Sequence, residues 1–441
     1  MAGDRYSLAE VLTVAKLHPF YDSEIQYPPK TEILQANLQK SVKNNANADL
    51  HSQPLLHKKA MYEAIERLIK DVSAENTYRH ASYMTITGGG SGGIPMMFAV
   101  DVHENRKQRA LFGRLLRVCG IIEQGDVVLS THIAGNFYCS LDLTTETMEN
   151  AGATVLSAGN AMSRDEIFQA LVNYRVNVLT ADGSQCIRLV THIAQLPKTQ
   201  RDQLCLNKII YTSEPLTGPQ REFIRSKLGD IKICSVMGSS EAGPWAINNP
   251  ELTGEPGSSS TLDFVFDARD MLIEILPPSV LEDNSTAAAM PLPDNEPGII
   301  VQTSLQRLRN PLARYITGDV GSLHDPPERA GAILPETERK HLRVLRMQGR
   351  DKRFSFKWFG PYFDFSNIEA LMNAKDGGIL QWQIIHDHRE CTMEAVLEIR
   401  LLRAPQDKGI ISDQALIKRF KDFFSILDEN KDLFRVLFMP T

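Results

Sequence analysis

Between residues 7 and 16 the apolar side chains Leu8, Val11, Leu12, Val14 and Ala15 recur at helical spacing, and His18-Pro19-Phe20-Tyr21 closes the run as a turn. A second helix is expected over 58 to 71, where Met61, Ile65, Leu68 and Ile69 share one face. From about residue 84 to 243 the texture changes. Short apolar runs, Val127-Val128-Leu129, Thr154-Val155-Leu156, Val176-Asn177-Val178-Leu179, Ile209-Ile210-Tyr211 and Ile231-Lys232-Ile233, alternate with helical segments. Short continuous runs suit strands covered on both faces, so the alternation predicts βαβ units around a largely parallel sheet. Sheets of that kind bind ligands at the carboxyl ends of their strands.

From 263 to 319 the pattern becomes β-rich with long polar connections. The longest, 277 to 297, carries five prolines and several acidic residues. A small β subdomain with a surface loop is expected there. After Gly349 the pattern predicts a helix over 367–375, a strand over 392–402, a helix over 413–427 and a closing strand over 434–438. The expected fold is therefore α/β: a large N-terminal domain, 1–348, of parallel βαβ units plus the β subdomain, then a small α+β lid domain, 349–441, with a hinge at 349–352. No internal repeat or low-complexity tract interrupts this plan.

At 441 residues and 42% hydrophobic content the chain can fill the cores of two domains. A net charge of -6 gives no polyanion-binding surface, so nucleic acid is not an expected partner and an anionic ligand must be held by local groups. The six cysteines are scattered without a CxxC pair, which fits reduced thiols in a cytoplasmic protein and no metal ribbon. Neither a signal peptide nor a membrane span is expected, since no run approaches about 18 apolar residues.

The strongest local signal is Thr85-Ile86-Thr87-Gly88-Gly89-Gly90-Ser91-Gly92-Gly93-Ile94-Pro95. Five glycines around one serine free the backbone to turn its N–H groups inward as a nest for phosphate oxygens, with Thr87 and Ser91 adding hydroxyl donors. No Gly-Lys-[Ser/Thr] follows, so this is not a Walker loop, and Pro95 interrupts the helix entry of a dinucleotide fingerprint. Taken alone, the same composition also suits a flexible turn. Three further segments follow in order: Thr212-Ser213-Glu214-Pro215, Met237-Gly238-Ser239-Ser240-Glu241-Ala242-Gly243 and Arg314-Tyr315-Ile316-Thr317-Gly318-Asp319. Gly349-Arg350-Asp351-Lys352 comes last.

In this order and spacing the segments resemble the motifs of the adenylate-forming superfamily, which includes acyl-CoA synthetases, adenylation domains of nonribosomal peptide synthesis and luciferases. The opening helix and its His-Pro-Phe-Tyr ending look like the phenylacetate–CoA ligase branch. Gly90, Ser91, Gly93 and Pro95 match the phosphate loop of that superfamily, while Gly92 and Met96 stand where threonine and lysine are common. The resemblance implies that Thr87 and Gly88 through Gly93 hold ATP phosphates and that Ser213, Glu214 and Pro215 lie against the adenine. Ser240 would contact the α-phosphate, Gly238 and Ser239 would belong to the nucleotide site, Glu241 would hold Mg²⁺ as a hard oxygen ligand, and Asp319 would accept hydrogen bonds from both ribose hydroxyls. Arg350 would reach ribose or phosphate and Lys352 would sit at the pivot.

By the same resemblance, the stretch from His132 to Tyr138 faces the carboxylic acid. Asn136, Phe137 and Tyr138, with Met237, Ala242 and Gly243, would line a pocket suited to a planar or apolar acyl group, and His132 is the one nameable general base. The implied reaction is ATP- and Mg-dependent activation of the acid as acyl-AMP with release of pyrophosphate, then acyl transfer to CoA. An amine or a carrier protein as acceptor, and a nucleotide-binding pseudoenzyme, remain open, and the branch implies a homodimer. Members of the superfamily carry a C-terminal Gly-Lys pair that this sequence does not contain. Three readings stand: a shortened chain, substitution by Lys357 or Lys431, or use of the fold for something short of full acid activation. Gly360 is the expected glycine of the second half-reaction.

Overall fold

The computed structural model describes residues 5–41, 48–87, 96–135, 137–213, 215–256, 261–281, 289–350, 355–388, 394–403 and 410–439. The chain divides into two units, Met1–Thr85 with Phe98–Gly349, and Ile86–Met97 with Arg350–Thr441.

The first helix, Leu8–Ala15, starts at a capping box in which Ser7 Oγ accepts from the Glu10 N–H and Glu10 Oε2 accepts from the Ser7 N–H. Its Val11, Leu12, Val14 and Ala15 pack on Leu305, Leu308 and Ala313. The second expected helix is Lys58–Lys70, with Met61, Ile65 and Leu68 buried. Strands β1 (Ser82–Thr87) and β2 (Met96–Asp101) pair with each other. Asp101 then caps the helix Val102–Val118 through the N–H groups of His103 and Glu104.

The apolar runs of the sequence become β3 (Val127–Ser130), β4 (Thr154–Ser157), β5 (Val178–Asp182), β6 (Lys208–Thr212) and β7 (Lys232–Ser239), all parallel, in the order β4-β3-β5-β6-β7. Alternate residues serve opposite faces, as the pleat requires. Val128, Val178, Ile210 and Cys234 join Phe112 and Leu116 of the helix Val102–Val118 on one side. Leu129, Leu179, Ile209 and Ile233 join Ile187, Val190 and Ile224 of the helices Gly183–Gln195 and Gly218–Leu228 on the other.

β8 (Gly243–Asn248) turns back antiparallel on β7. The β-rich stretch supplies β9 (Leu262–Asp267), β10 (Met271–Leu276), β11 (Gly298–Ser304), β12 (Tyr315–His324) and β13 (Leu342–Arg350), which extend the sheet in the order β8-β9-β13-β12-β11-β10. Among the described residues, eleven strands thus form one sheet, parallel in one half and antiparallel in the other. At the amino ends of the parallel half, Asp126 receives Lys208 Nζ at 2.9 Å and Asn177 Nδ2 at 2.7 Å.

In the second unit, β14 (Ser355–Lys357) and β15 (Tyr362–Asp364) form a hairpin, and β16 (Ile379–His388), β17 (Ala395–Arg403) and β18 (Phe434–Phe438) form a sheet. Helices Phe365–Met372 and Asp413–Phe423 pack on it through a core that includes Trp358, Phe363, Phe420, Phe423 and Phe424. The architecture is α/β. Among the described residues, no helix is long and apolar enough to cross a membrane.

Candidate active site

The parallel strands deliver polar residues at their carboxyl ends, where a sheet of this kind leaves backbone and side chains uncovered. Past β3 come Thr131 and His132, β5 ends at Asp182, β6 leads into Ser213, and β7 runs out through Gly238 and Ser239. Ser213 takes φ +70, a left-handed conformation unfavourable to a side chain, and is exposed, as is Pro215. Gly238 and Ser239 are exposed, Met237, Ser240 and Gly243 are half-buried, and Glu241 and Ala242 are buried.

The turn from β7 to β8 is irregular, with a register shift between Met237 and Gly238 that aims the tip away from the regular ladder. Ser239 Oγ accepts from the Ala242 N–H at 3.0 Å, and Thr85 Oγ1 donates to the Ser240 carbonyl at 3.3 Å. The Glu241 carboxylate is fixed by two phenols: its Oε1 accepts from Tyr62 Oη at 3.2 Å and from Tyr315 Oη at 3.1 Å. A carboxylate so held cannot swing to the surface.

Asp319 is half-buried in β12 and follows Gly318 at φ +79; its N–H donates to Thr317 Oγ1, which itself donates to the Ile300 carbonyl. Arg314, at the head of the same motif, is buried and structural. Its guanidinium pairs with both Glu274 oxygens at 2.9 and 3.1 Å and donates to the carbonyls of His51, Gln53 and Ala289. His132 is also interior, 1% exposed, with Nε2 3.1 Å from Thr180 Oγ1 and Nδ1 3.6 Å from Asp182 Oδ1. Phe137 is 71% exposed at φ +65 and Tyr138 half-buried, their segment closed by a bridge between Gly135 and Tyr138.

Several expected site residues lie outside the described residues: Gly88, Gly89, Gly90, Ser91, Gly92 and Gly93 of the glycine loop, Asn136, Glu214 and Lys352, and the side chains of Thr87 and Arg350. In the second unit, Gly360 has φ +102, Lys357 Nζ lies 5.2 Å from the centre of the Tyr362 ring, and Lys431 pairs with Asp428 at 3.1 Å. Motif spacing did not point to Tyr62, Gln108 and Arg307. They meet Glu241 and Ala242 across 179, 134 and 66 residues, and no local pattern marks such a meeting.

The described residues contain no group of three or more His, Cys, Asp and Glu able to enclose a metal. The single anchored carboxylate of Glu241 would suit a Mg²⁺ carried in by a nucleotide, to which it would offer one hard oxygen ligand.

No family model and no curated protein matches the chain. Solved structures match it in fold. A 2-hydroxyisobutyryl-CoA ligase in complex with 2-HIB-AMP and CoA, in its thioesterification state, aligns with a TM-score of 0.70 and 15% identity over 98% of this chain and 84% of that one. The amide bond synthetase McbA from Marinactinospora thermotolerans aligns at 0.53 and 12% over 98% and 89%. A double mutant of the o-succinylbenzoate CoA synthetase MenE from Bacillus subtilis, bound with its product analogue OSB-NCoA, aligns at 0.51 and 15% over 87% and 73%. The chain has the fold of the adenylate-forming enzymes. At such identities the likeness is one of fold, and within that class it is shared with two acyl-CoA ligases and an amide synthetase.

Proposed function

We propose that this protein is an AMP-forming acid ligase that activates a carboxylic acid with ATP as an acyl-AMP and passes the acyl group to the thiol of CoA. The observation that carries the reading is the Glu241 carboxylate, buried and anchored by Tyr62 and Tyr315 beside the exposed Gly238 and Ser239 at the carboxyl end of the parallel strands. A fixed carboxylate at that place is what a metal-bearing triphosphate needs. Mg²⁺, when bound with ATP, neutralises charge on the phosphate oxygens, and Glu241 would hold it.

The residues of the chain divide the work. Ser240 contacts the α-phosphate with Gly238 and Ser239 beside it in the nucleotide site, and Asp319 accepts hydrogen bonds from the ribose hydroxyls. The glycine loop, with Thr87, cradles the outer phosphates, Ser213, Glu214 and Pro215 face the adenine, and Arg350 reaches ribose or phosphate, with Lys352 as pivot. In the first step an oxygen of the acid attacks the α-phosphorus and pyrophosphate leaves. In the second, the thiol sulfur attacks the acyl carbon and AMP leaves. Neither step needs a covalent enzyme intermediate, so positioning and charge stabilisation carry the catalysis. His132, interior and turned to Thr180 and Asp182, serves this reading as a support for the acid-facing segment with Asn136, Phe137 and Tyr138 and not as a base.

Acid-dependent exchange of labelled pyrophosphate into ATP tests the first half. Exchange with at least one member of a panel of short hydroxy, aliphatic and aromatic acids is expected; none at high enzyme concentration would overturn it. A second reading, with an amine or a carrier-protein thiol as acceptor, is favoured by the fold likeness to an amide bond synthetase. Offering the preformed adenylate CoA, an amine or a phosphopantetheinylated carrier separates the two: product with the amine alone would replace the CoA reading.

A further inference from the structure

Behind Glu241 lies a set of buried polar side chains that the reaction above does not use. Arg307, 5% exposed, donates from Nη1 to the Glu241 carbonyl, and its Nη2 lies 3.4 Å from Gln108 Oε1. Gln108, 1% exposed, donates from Nε2 to the Ala242 carbonyl at 2.7 Å. Two consecutive carbonyls of the β7–β8 turn are thus gripped by side chains from distant parts of the chain. The approach is close. Gly243 sits at φ +71, and a Cβ there would fall 2.5 Å from Gln108 Oε1; at Gly238 a Cβ would fall 2.9 Å from the Gly243 carbonyl.

The arrangement is costly in a way that calls for a reason. Burial pushes the Arg307 guanidinium down to about 10, and Glu104 and Glu241 only partly offset it. Desolvating a cation to satisfy a neutral carbonyl loses more than an ordinary backbone partner would. The grip is itself held from behind, since Glu104 Oε1 accepts the N–H groups of Leu308 and Arg309, the residues that follow Arg307.

We infer that Arg307 and Gln108 are positioning residues that set the backbone of the Glu241 turn so that the carboxylate, pinned at its tip by Tyr62 and Tyr315, meets a metal–nucleotide complex. The inference rests on the proposed role of Glu241 as the carboxylate facing that complex. Pinning a carboxylate at its tip alone leaves the turn free to rock. Pinning two carbonyls as well removes that freedom, which is how a supporting shell keeps a ligand within a few tenths of an ångström of its working position.

Calorimetric titration of the full chain with ATP, in excess Mg²⁺ and in excess EDTA, tests this. Gln108→Leu is expected to weaken ATP binding in Mg²⁺ about tenfold while changing binding in EDTA less than about twofold. Arg307→Met is expected to do the same more strongly, and Arg307→Lys to recover part of the loss because one ammonium still reaches the Glu241 carbonyl. Glu241→Ala serves as reference. If it leaves the Mg²⁺-dependent part of binding intact, the role of Glu241 is wrong. If it abolishes that part while Gln108→Leu leaves both titrations unchanged, or weakens both equally, the positioning role is overturned and Glu241 stands. Gln108→Leu decides the matter should Arg307→Met fail to fold, because it removes a neutral group and leaves no charge buried alone.

Discussion

Two buried carboxylates of the first unit, Asp126 and Glu104, have been driven in opposite directions. Asp126 stands at the amino ends of the parallel strands. Burial alone would raise its pKa, yet the Glu123 N–H, Lys208 and Asn177 together hold it below the ordinary carboxylate range. Glu104 stands behind the Glu241 turn. Burial pushes its carboxyl up to about 7 although it accepts two backbone N–H groups, and its Oε2 has no hydrogen-bond partner. One end of the sheet is chemically closed, with each carboxylate oxygen answered by the protein. Glu104, beneath the turn for which a nucleotide role is proposed, keeps one carboxylate oxygen without a hydrogen-bond partner.

The sharpest way to break this contrast is Lys208→Met. It leaves Asp126 buried without its cation, so a loss of about 3–5 kcal/mol in urea unfolding is expected, with ATP affinity of the folded protein unchanged. Glu104→Gln comes next. The wild-type carboxyl has an ordinary pKa of 4.5 and a folded one of about 7, so the stability it contributes is complete below pH 4.5 and is lost as pH rises through 7. Unfolding at pH 4.5 and pH 8 is expected to show wild type losing about 3 kcal/mol relative to the variant between the two. An unchanged difference would mean that folding does not raise the Glu104 pKa.

Glu241→Gln should reverse the pattern of Lys208→Met. The tyrosine hydroxyls still find an acceptor, so the urea midpoint stays near wild type while pyrophosphate exchange falls about a hundredfold, roughly 2.7 kcal/mol. The smallest effect is expected for Asp319→Asn. Because an amide keeps one acceptor oxygen, KM for ATP should rise about tenfold and kcat should change little. A large fall in kcat with KM intact would place Asp319 nearer the chemistry than the ribose.

The parallel half of the sheet was legible because its inner strands are covered on both faces and so read as unbroken apolar runs, while the edge strand β4 is only half-buried. β8 was hidden by its opening Gly243-Pro244, which reads as a turn, and β16 by the polar residues Gln381, Gln383 and His386 along it. The helix Val102–Val118 is masked for a related reason: it buries Glu104, Asn105, Gln108 and Arg109 among its apolar residues, so the amphipathic stripe is blurred. Ser239, Glu241 and Asp319 could be named as candidates because they sit in short contiguous motifs, and the roles given to them are proposals. Tyr62, Gln108 and Arg307 could not, since their role exists only once the sheet has brought them to Glu241. Arg314, which only heads its motif, is a buried tether that no local pattern marks.

That tether has a consequence for how the protein is made. Arg314 donates to the carbonyls of His51 and Gln53 across 263 and 261 residues, and the Tyr6 N–H bonds to the Leu305 carbonyl. The segment that carries Tyr6, His51 and Gln53 is made well before its partners, which lie among the residues of β12 and the strand-to-strand segment before it. At about 5–20 residues per second it must wait on the order of 15–60 s before Leu305 and Leu308 can cover Val11, Leu12 and Val14. During that interval the apolar face of the first helix is open to a chaperone.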